Sequence, residues 1–167
     1  YFYCNGYIKI GDEKISCWKK HKTLSFEEVI RQSCNVGIIK SIFRISRYKF
    51  YDYLRNFGIG NYTGIDLPGE SKGILRPPKG WALFSKAAIS IGQEVATTSI
   101  QLITAACAIF NGGKVMEPHI VKAIIYPDGT IYKRNKPVVV RQVITSSVAE
   151  KVAKLLKGVV REGGTGE

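Results

Sequence analysis

The chain has 167 residues, 25 Lys plus Arg against 13 Asp plus Glu, a formal net charge of +12 at pH 7 and 45% hydrophobic residues. That length holds one domain with a sizeable core, and the apolar share excludes wholesale disorder. The basic excess fits nucleic acid, an anionic wall or membrane surface, or simple solvation; because only Lys19, Lys20 and Lys22 cluster and no basic-aromatic recognition helix is present, no nucleic-acid partner is expected.

No apolar run reaches the roughly 18 residues of a membrane span; the longest, Leu102 to Phe110, is broken by Thr104. The chain opens on Tyr1 and stops at Glu167 after Gly163-Gly164-Thr165-Gly166, so a piece of a longer protein is expected. The 4 cysteines are too few for a disulfide scaffold. Cys4 and Cys17 bracket a Gly-containing segment and can pair in an oxidising compartment. Adding His21 makes a Cys-x12-Cys-x3-His pattern, but with no close Cys-x-x-Cys and no evident fourth ligand, no metal and no cofactor are expected. Cys34 and Cys107 lie in apolar-periodic stretches, where a buried free thiol is the expectation.

In chain order, Tyr3 to Trp18 contains short alternating stretches, such as Tyr7-Ile8-Lys9-Ile10 before Gly11-Asp12, and predicts a small hairpin. Ser25-Phe26-Glu27-Glu28 is a capping box, with Leu24 and Val29 at the staple positions, so a helix begins near Phe26 and runs towards Gln32. Past Ser33-Cys34-Asn35 the set Val36, Ile39, Ile42 and Phe43 resumes a helical period. Ser and Asn side chains compete for backbone hydrogen bonds, which predicts two helices joined at 33–35. A third helix begins near Ser46, with Phe50, Leu54 and Phe57 on one side and Gly58 at the left-handed C-terminal position.

Residues 61–78, rich in Gly and Pro, form a long loop of the kind that is functional or an architectural crossover. Thr98-Ser99-Ile100-Gln101 is a second capping box, opening a helix through Ile103, Ala106 and Phe110 that ends at Asn111-Gly112-Gly113. Ile120 to Tyr132 predicts a hairpin turning on Pro127-Asp128-Gly129. Ser147-Val148-Ala149-Glu150 is a third capping box; the helix after it carries Val148, Val152, Leu155 and Val159 on one stripe and is expected to end at Gly163. The sum is an α+β chain with helices dominant.

Neither His21 nor His119 has a matched Ser and acid for a Ser-His-Asp triad. No Walker A sequence or dinucleotide fingerprint occurs. By itself Ser33-Cys34-Asn35 is a weak Ser-x-Asn match that a polar hinge between helices explains. Its neighbours give it meaning. Gln32-Ser33-Cys34-Asn35-Val36-Gly37 resembles the second motif of penicillin-binding transpeptidases. Thr63-Gly64-Ile65-Asp66-Leu67-Pro68-Gly69-Glu70, Ser90-Ile91-Gly92-Gln93, Thr98 to Leu102, Asn111-Gly112-Gly113, the strand-like Pro118-His119-Ile120-Val121, and Val159-Val160 with Gly164-Thr165-Gly166 then follow in the family's order. The resemblance covers roughly residues 20 to 167, and Cys4-Asn5-Gly6 with Cys17-Trp18 looks like the opening segment of some class B members.

The resemblance implies a helix-dominated α+β fold, part of a serine β-lactamase-like transpeptidase domain with a β-hairpin: opening segment 1–24, helical subdomain 25–113, then hairpin and C-terminal helix 114–167. It implies a bacterial D,D-transpeptidase that cross-links peptidoglycan stem peptides through a serine acyl-enzyme and is inhibited by β-lactams. The parent would sit on the extracytoplasmic face of the inner membrane, with glycosyltransferase or division-complex partners.

The family works with Ser-x-x-Lys, Ser-x-Asn and Lys-Thr-Gly. In this chain Ser33 takes the place of the proton-relay residue and Asn35 that of the residue bonding the substrate or β-lactam amide. The resemblance makes Cys34 packing, and Thr63, Asp66 and Gln93 architectural. Ser16-Cys17-Trp18-Lys19 and Ser46-Arg47-Tyr48-Lys49 fit the nucleophile pattern literally. However, Ser16 lies too close to Ser33 and Ser46 follows it, so neither is taken as nucleophile, and Lys-Thr-Gly is absent. Two other readings remain: a non-catalytic wall or division-complex interaction module, and a serine β-lactamase or β-lactam sensor.

Overall fold

A computed structural model describes residues 1–161 and 163–166 and shows an α+β chain in two compact units. The first comprises Tyr1–Asp52, Leu75–Val95 and the stretch from Lys151, and the second Tyr53–Ile74 and Ala96–Glu150.

In the first unit, β1 (Phe2–Cys4) pairs antiparallel with β4 (Lys22–Leu24), setting Phe2 opposite Leu24 and Cys4 opposite Lys22. Between them lies the expected hairpin, β2 (Tyr7–Ile10) with β3 (Glu13–Ser16), which turns at Gly11 with φ 59°. The β1–β4 pair escapes sequence reading because three residues are too few for alternation to register. It closes the opening segment into a loop whose two ends meet.

Helix α1 (Phe26–Arg31) starts where its capping box requires. The Ser25 N–H donates to Glu28 Oε2 at 2.7 Å, and the Glu28 N–H donates to Ser25 Oγ at 3.2 Å. Leu24 and Val29 are buried on either side of the cap. Helix α2 (Asn35–Ile42) follows after a three-residue turn. Together Phe2, Cys4, Leu24, Val29, Cys34 and Val36 form one buried cluster, so the opening strands and the α1–α2 turn share a core. A second cluster joins Ile15 of β3 and Ile39 of α2 to Ala87.

Helix α3 (Arg47–Asn56) is capped by Ser46, whose Oγ accepts the Lys49 N–H at 3.1 Å, and Gly58 follows at φ 100°. Phe50 is buried against Trp81, the ring centroids 6.1 Å apart. Ala87 belongs to α4 (Ser85–Ser90), a helix of six residues that is too short to show a period in the sequence.

In the second unit, α5 (Ser99–Phe110) opens on the Thr98–Gln101 capping box. Strand β5 (Lys114–Met116) pairs with β8 (Val139–Gln142), and β6 (Ala123–Ile125) with β7 (Ile131–Arg134) makes the expected hairpin. Asp128 Oδ1 accepts the Thr130 N–H at 2.8 Å and closes its turn. Helix α6 (Ser146–Lys157) belongs in part to each unit.

Three expectations are corrected. Pro118 to Val121 is irregular, and the strand is Lys114–Met116 instead. The cause is a side chain: the Ile120 and Val121 N–H groups both donate to the Asp66 carboxylate, at 2.7 and 2.9 Å, and are lost to any ladder. The cap of α6 is Thr145, which accepts the Val148 N–H at 3.4 Å, and the helix ends at Lys157 before Gly158 rather than at Gly163. Cys107 is exposed, with Leu102, Ile103 and Phe110 of the same helix, so the apolar period of α5 does not mark a buried thiol.

Candidate functional site

The turn between α1 and α2 carries Ser33, Cys34 and Asn35. Ser33 has φ 48°, a left-handed backbone that a residue with a Cβ adopts at a cost of roughly 1–2 kcal/mol. This reversal turns Cys34 inward, away from the side that Ser33 and Asn35 share. Cys34 is fully buried, Ser33 is exposed and Asn35 is half-buried at the first residue of α2. Ser33, Asn35 and Ser90 are the polar lining of a groove of ≈ 230 Å³ whose apolar wall is Val29, Ile30, Ile38 and Ile91.

Both polar side chains are oriented by neighbours. Ser33 Oγ lies 2.6 Å from Thr165 Oγ1. Asn35 Nδ2 donates to the Ser16 carbonyl at 3.1 Å, which fixes the amide's orientation, since only its nitrogen can donate. Among the described residues, Asn35 Oδ1 and the second Nδ2 hydrogen have no hydrogen-bond partner. Ser90 Oγ is engaged, donating to the Ala87 carbonyl at 2.7 Å.

Gly37 is what lets the turn be so tight. A Cβ there would lie 2.4 Å from Val29 Cγ2 and 2.7 Å from Cγ1, so α1 and α2 meet closely only because residue 37 has none. The motif match includes this glycine but carries no reason for it. The reason is a backbone approach, visible only in three dimensions.

Behind the turn, Cys34 caps α2, its Sγ accepting the Gly37 N–H at 3.4 Å. It has companions. Cys17 Sγ is 3.9 Å from Cys34 Sγ, and His21 Nδ1 is 3.5 Å from Cys17 Sγ and 3.6 Å from Cys4 Sγ. Burial pushes the Cys34 thiol up to about 12, against the Gly37 amide, which works the other way. Burial also raises Cys4, but the His21 and Gly6 backbone groups and the neighbouring thiols outweigh it and leave that thiol below its ordinary value. Burial, then the charge of Lys19, lowers His21 and favours the neutral imidazole, while the Gln32 backbone opposes the shift. The sequence pattern offers Cys4, Cys17 and His21 but no evident fourth ligand, and hence no expected metal. Cys34, which the resemblance makes packing, stands beside them and makes a set of four donors that could hold an ion.

The remaining motif residues hold backbone in place. Glu70 accepts from the Thr63 N–H and hydroxyl at 2.5 and 2.7 Å and from the Gly64 N–H at 3.2 Å. The Ile120 and Val121 amides hold the Asp66 carboxyl below the usual carboxylate range. The Gln93 N–H donates to the Ala88 carbonyl at 2.9 Å. The Ser46 hydroxyl is committed to capping α3.

The chain matches the family model "Penicillin binding protein transpeptidase domain" over residues 1–167. It is similar to the stage V sporulation protein D of Bacillus subtilis (strain 168), 34% identical over 165 residues, which is 97% of this chain and 26% of that protein. It is similar to the probable peptidoglycan D,D-transpeptidase PenA of Neisseria meningitidis serogroup B (strain MC58), 27% identical over 158 residues, 95% of this chain and 25% of that protein. Among solved structures, penicillin-binding protein 3 of Mycobacterium tuberculosis complexed with ampicillin superposes with a TM-score of 0.87 at 31% identity, covering 96% of this chain and 36% of that one. The chain therefore spans about a quarter of the length of the curated relatives it matches. Motif order, fold and whole-length match agree: this chain belongs to the penicillin-binding protein transpeptidase family, with class B penicillin-binding proteins as its relatives.

Proposed function

We propose that the whole protein is a peptidoglycan D,D-transpeptidase in which Ser33 and Asn35 of this chain form one wall of the acyl-transfer cleft. The observation that carries the reading is the turn itself. A left-handed Ser33 and the first residue of α2 present a hydroxyl and an oriented amide to the same groove, while the residue between them is buried.

The chemistry follows from what those groups can do. A serine from a Ser-x-x-Lys segment elsewhere in the whole protein gives its proton to the Lys amine and attacks the carbonyl of the penultimate D-Ala. The bond to the terminal D-Ala breaks, leaving an acyl-enzyme. The leaving amine needs a proton, and a hydroxyl with one donor and two acceptor positions can receive one and pass another on, which is the role of Ser33. Asn35 holds the amide of the stem peptide, or of a β-lactam, against the groove. A second stem peptide's amine then attacks the acyl carbonyl and completes the cross-link. A Lys-Thr-Gly strand, also from outside these 167 residues, supplies the opposite wall. The protein then works on the extracytoplasmic side of the bacterial inner membrane, beside glycosyltransferase or division-complex partners.

The test uses the whole protein and a fluorescent penicillin. Ser33→Ala should slow acylation about 100-fold, the scale of one positioned proton transfer. Asn35→Ala should lose transpeptidation and acylate more slowly. Unchanged labelling of both variants would remove the proton-relay and amide-holding roles. The 167-residue chain alone should take no label, and a covalent β-lactam adduct on it by intact mass would refute the assignment of the nucleophile to another segment.

A further inference from the structure

Four donor atoms from distant parts of the sequence converge behind the Ser-x-Asn turn: Cys4 Sγ, Cys17 Sγ, His21 Nδ1 and Cys34 Sγ all lie within 4.8 Å of one another. Tetrahedral Zn²⁺, with Zn–S about 2.3 Å and Zn–N about 2.0–2.1 Å, sets S···S edges of about 3.8 Å and S···N edges of about 3.5–3.6 Å. Of the six edges, one S···S at 3.9 Å and two S···N at 3.5 and 3.6 Å match these values, and the other three lie within 4.8 Å. The geometry points to a structural Zn²⁺ site of the Cys3His type, closed by four protein ligands, that fastens the opening β-segment to the N-terminus of α2.

The fold gives each ligand a reason to be there. The β1–β4 register brings Cys4, the last residue of β1, beside His21, which directly precedes β4. The Cys17 N–H donates to the Gly6 carbonyl at 2.8 Å, which closes the base of the β2–β3 hairpin and turns Cys17 back towards Cys4. The helix cap supplies Cys34. Backbone groups face two of the sulfurs: the Gly37 N–H points at Cys34 Sγ, and groups of His21 and Gly6 bond Cys4. Three thiolates and Zn²⁺ leave one net negative charge, beside a pocket that Cys4 and Cys17 share with Lys14, Lys19, Lys20 and Lys22. A ligand set rich in thiolate selects Zn²⁺ over Mg²⁺ or Ca²⁺.

A disulfide explains the cluster less well. Its S–S bond of about 2.05 Å requires two sulfurs to close in, and it leaves a third thiol and a neutral imidazole facing the bond without purpose. Because Cys34 separates Ser33 from Asn35, the ion also braces the turn that presents them. Its effect on acylation rests on the transpeptidase reading, whereas the metal site does not.

The chain, prepared without a polyhistidine tag and dialysed against metal-free buffer, should retain one zinc per molecule by elemental mass spectrometry. After chelation, titration with Co²⁺ should give the intense d–d bands of a tetrahedral ion and a thiolate-to-cobalt charge-transfer band, saturating at one equivalent. Cys17→Ser and His21→Ala should each weaken binding at least about 100-fold, and Cys107→Ser, at the exposed cysteine outside the cluster, should bind as the parent does. Zinc should also raise the Tm of the chelated chain. A thiol count and Co²⁺ spectrum on the parent need no variant to fold. Absence of the charge-transfer band, a disulfide among Cys4, Cys17 and Cys34 in freshly purified protein, or equal zinc in Cys17→Ser would each overturn the site, the last meaning an adventitious ion only.

Discussion

Gly37→Ala sets helix propensity against packing, and the structure says which wins. Alanine in a helix interior is favoured over glycine by at most about 1 kcal/mol. Against this, the new methyl would meet Val29 Cγ2 at 2.4 Å, Cγ1 at 2.7 Å and Cβ at 3.1 Å, where carbon atoms rest comfortably at about 3.5–4.0 Å. Rotating Val29 gives no relief, because both methyls and the branching carbon crowd the same point and a β-branched residue in a helix has one favoured rotamer. Val29 is 0% exposed, so α1 and α2 must move apart against a filled core. Overpacking of this kind costs about 1–3 kcal/mol, in this case at the upper end, so Gly37→Ala should destabilise the chain by about 1–2 kcal/mol net.

The decisive control is the double-mutant cycle with Val29→Ala. Alone, that change should cost about 2 kcal/mol for two buried methyls and the space they leave. In that background the methyl added at position 37 enters vacated volume, so the double variant should be no less stable than Val29→Ala, a favourable coupling of about 2 kcal/mol. Urea unfolding at fixed zinc, compared at constant slope, reads all four proteins. Additive effects, or a Gly37→Ala chain with a higher midpoint than the parent, would refute the close-approach argument.

Two further outcomes concern the second unit. Gln101 is fully buried; its Oε1 accepts the Thr98 N–H, and its Nε2 donates to the Asn61 and Lys72 carbonyls at 2.6 and 2.9 Å. Gln101→Leu strands three backbone groups at once and should cost about 2–4 kcal/mol, with faster amide exchange across residues 61–74; a loss below about 1 kcal/mol would show that the loop is held by something else. The Asp66 carboxyl is lowered by the amides of Ile120 and Val121. A group depressed in the folded state gives a contribution that is complete above its unfolded value and is lost as pH falls through the folded value. Exchange protection at Ile120 and Val121, corrected for intrinsic rate, should therefore collapse on acidification and be absent at every pH in Asp66→Ala. Protection that ignores both perturbations would remove the clamp.

How far the fold is legible from sequence tracks the range over which each signal acts. The Ser25–Glu28 and Thr98–Gln101 boxes, the Ser46 cap, the left-handed Gly58 and the Pro127–Gly129 turn are decided within three or four residues, and each appears where the local chemistry puts it. One failure is local, the cap of α6 at Thr145 in place of Ser147; the others begin where a distant partner or an uncovered face decides. Residues 118–121 have strand-like composition, yet Asp66, more than fifty residues earlier, takes their amides. Cys107 lies on an apolar period, but periodicity says which residues share a face and nothing about whether that face is covered.

The turn at 33–35 contains both cases in three residues. Ser33 and Asn35 stand out in the sequence because a motif is a local string in a fixed order, and both line the same groove. Cys34 reads as packing in sequence because burial and apolar neighbours are all that the string exposes. What changes its meaning is the three-residue pairing of β1 with β4, which brings residues 4 and 21 together, and a hairpin that returns residue 17 to them. A ligand set spread over thirty residues, with spacings fixed by strand register and a helix cap, leaves no spacing rule to recognise. It follows that relatives sharing this site would be found by the co-occurrence of cysteines at the ends of two short strands and at the middle of Ser-x-Asn. A relative that lacks Cys34 keeps at most three of the donors and should hold zinc far more weakly.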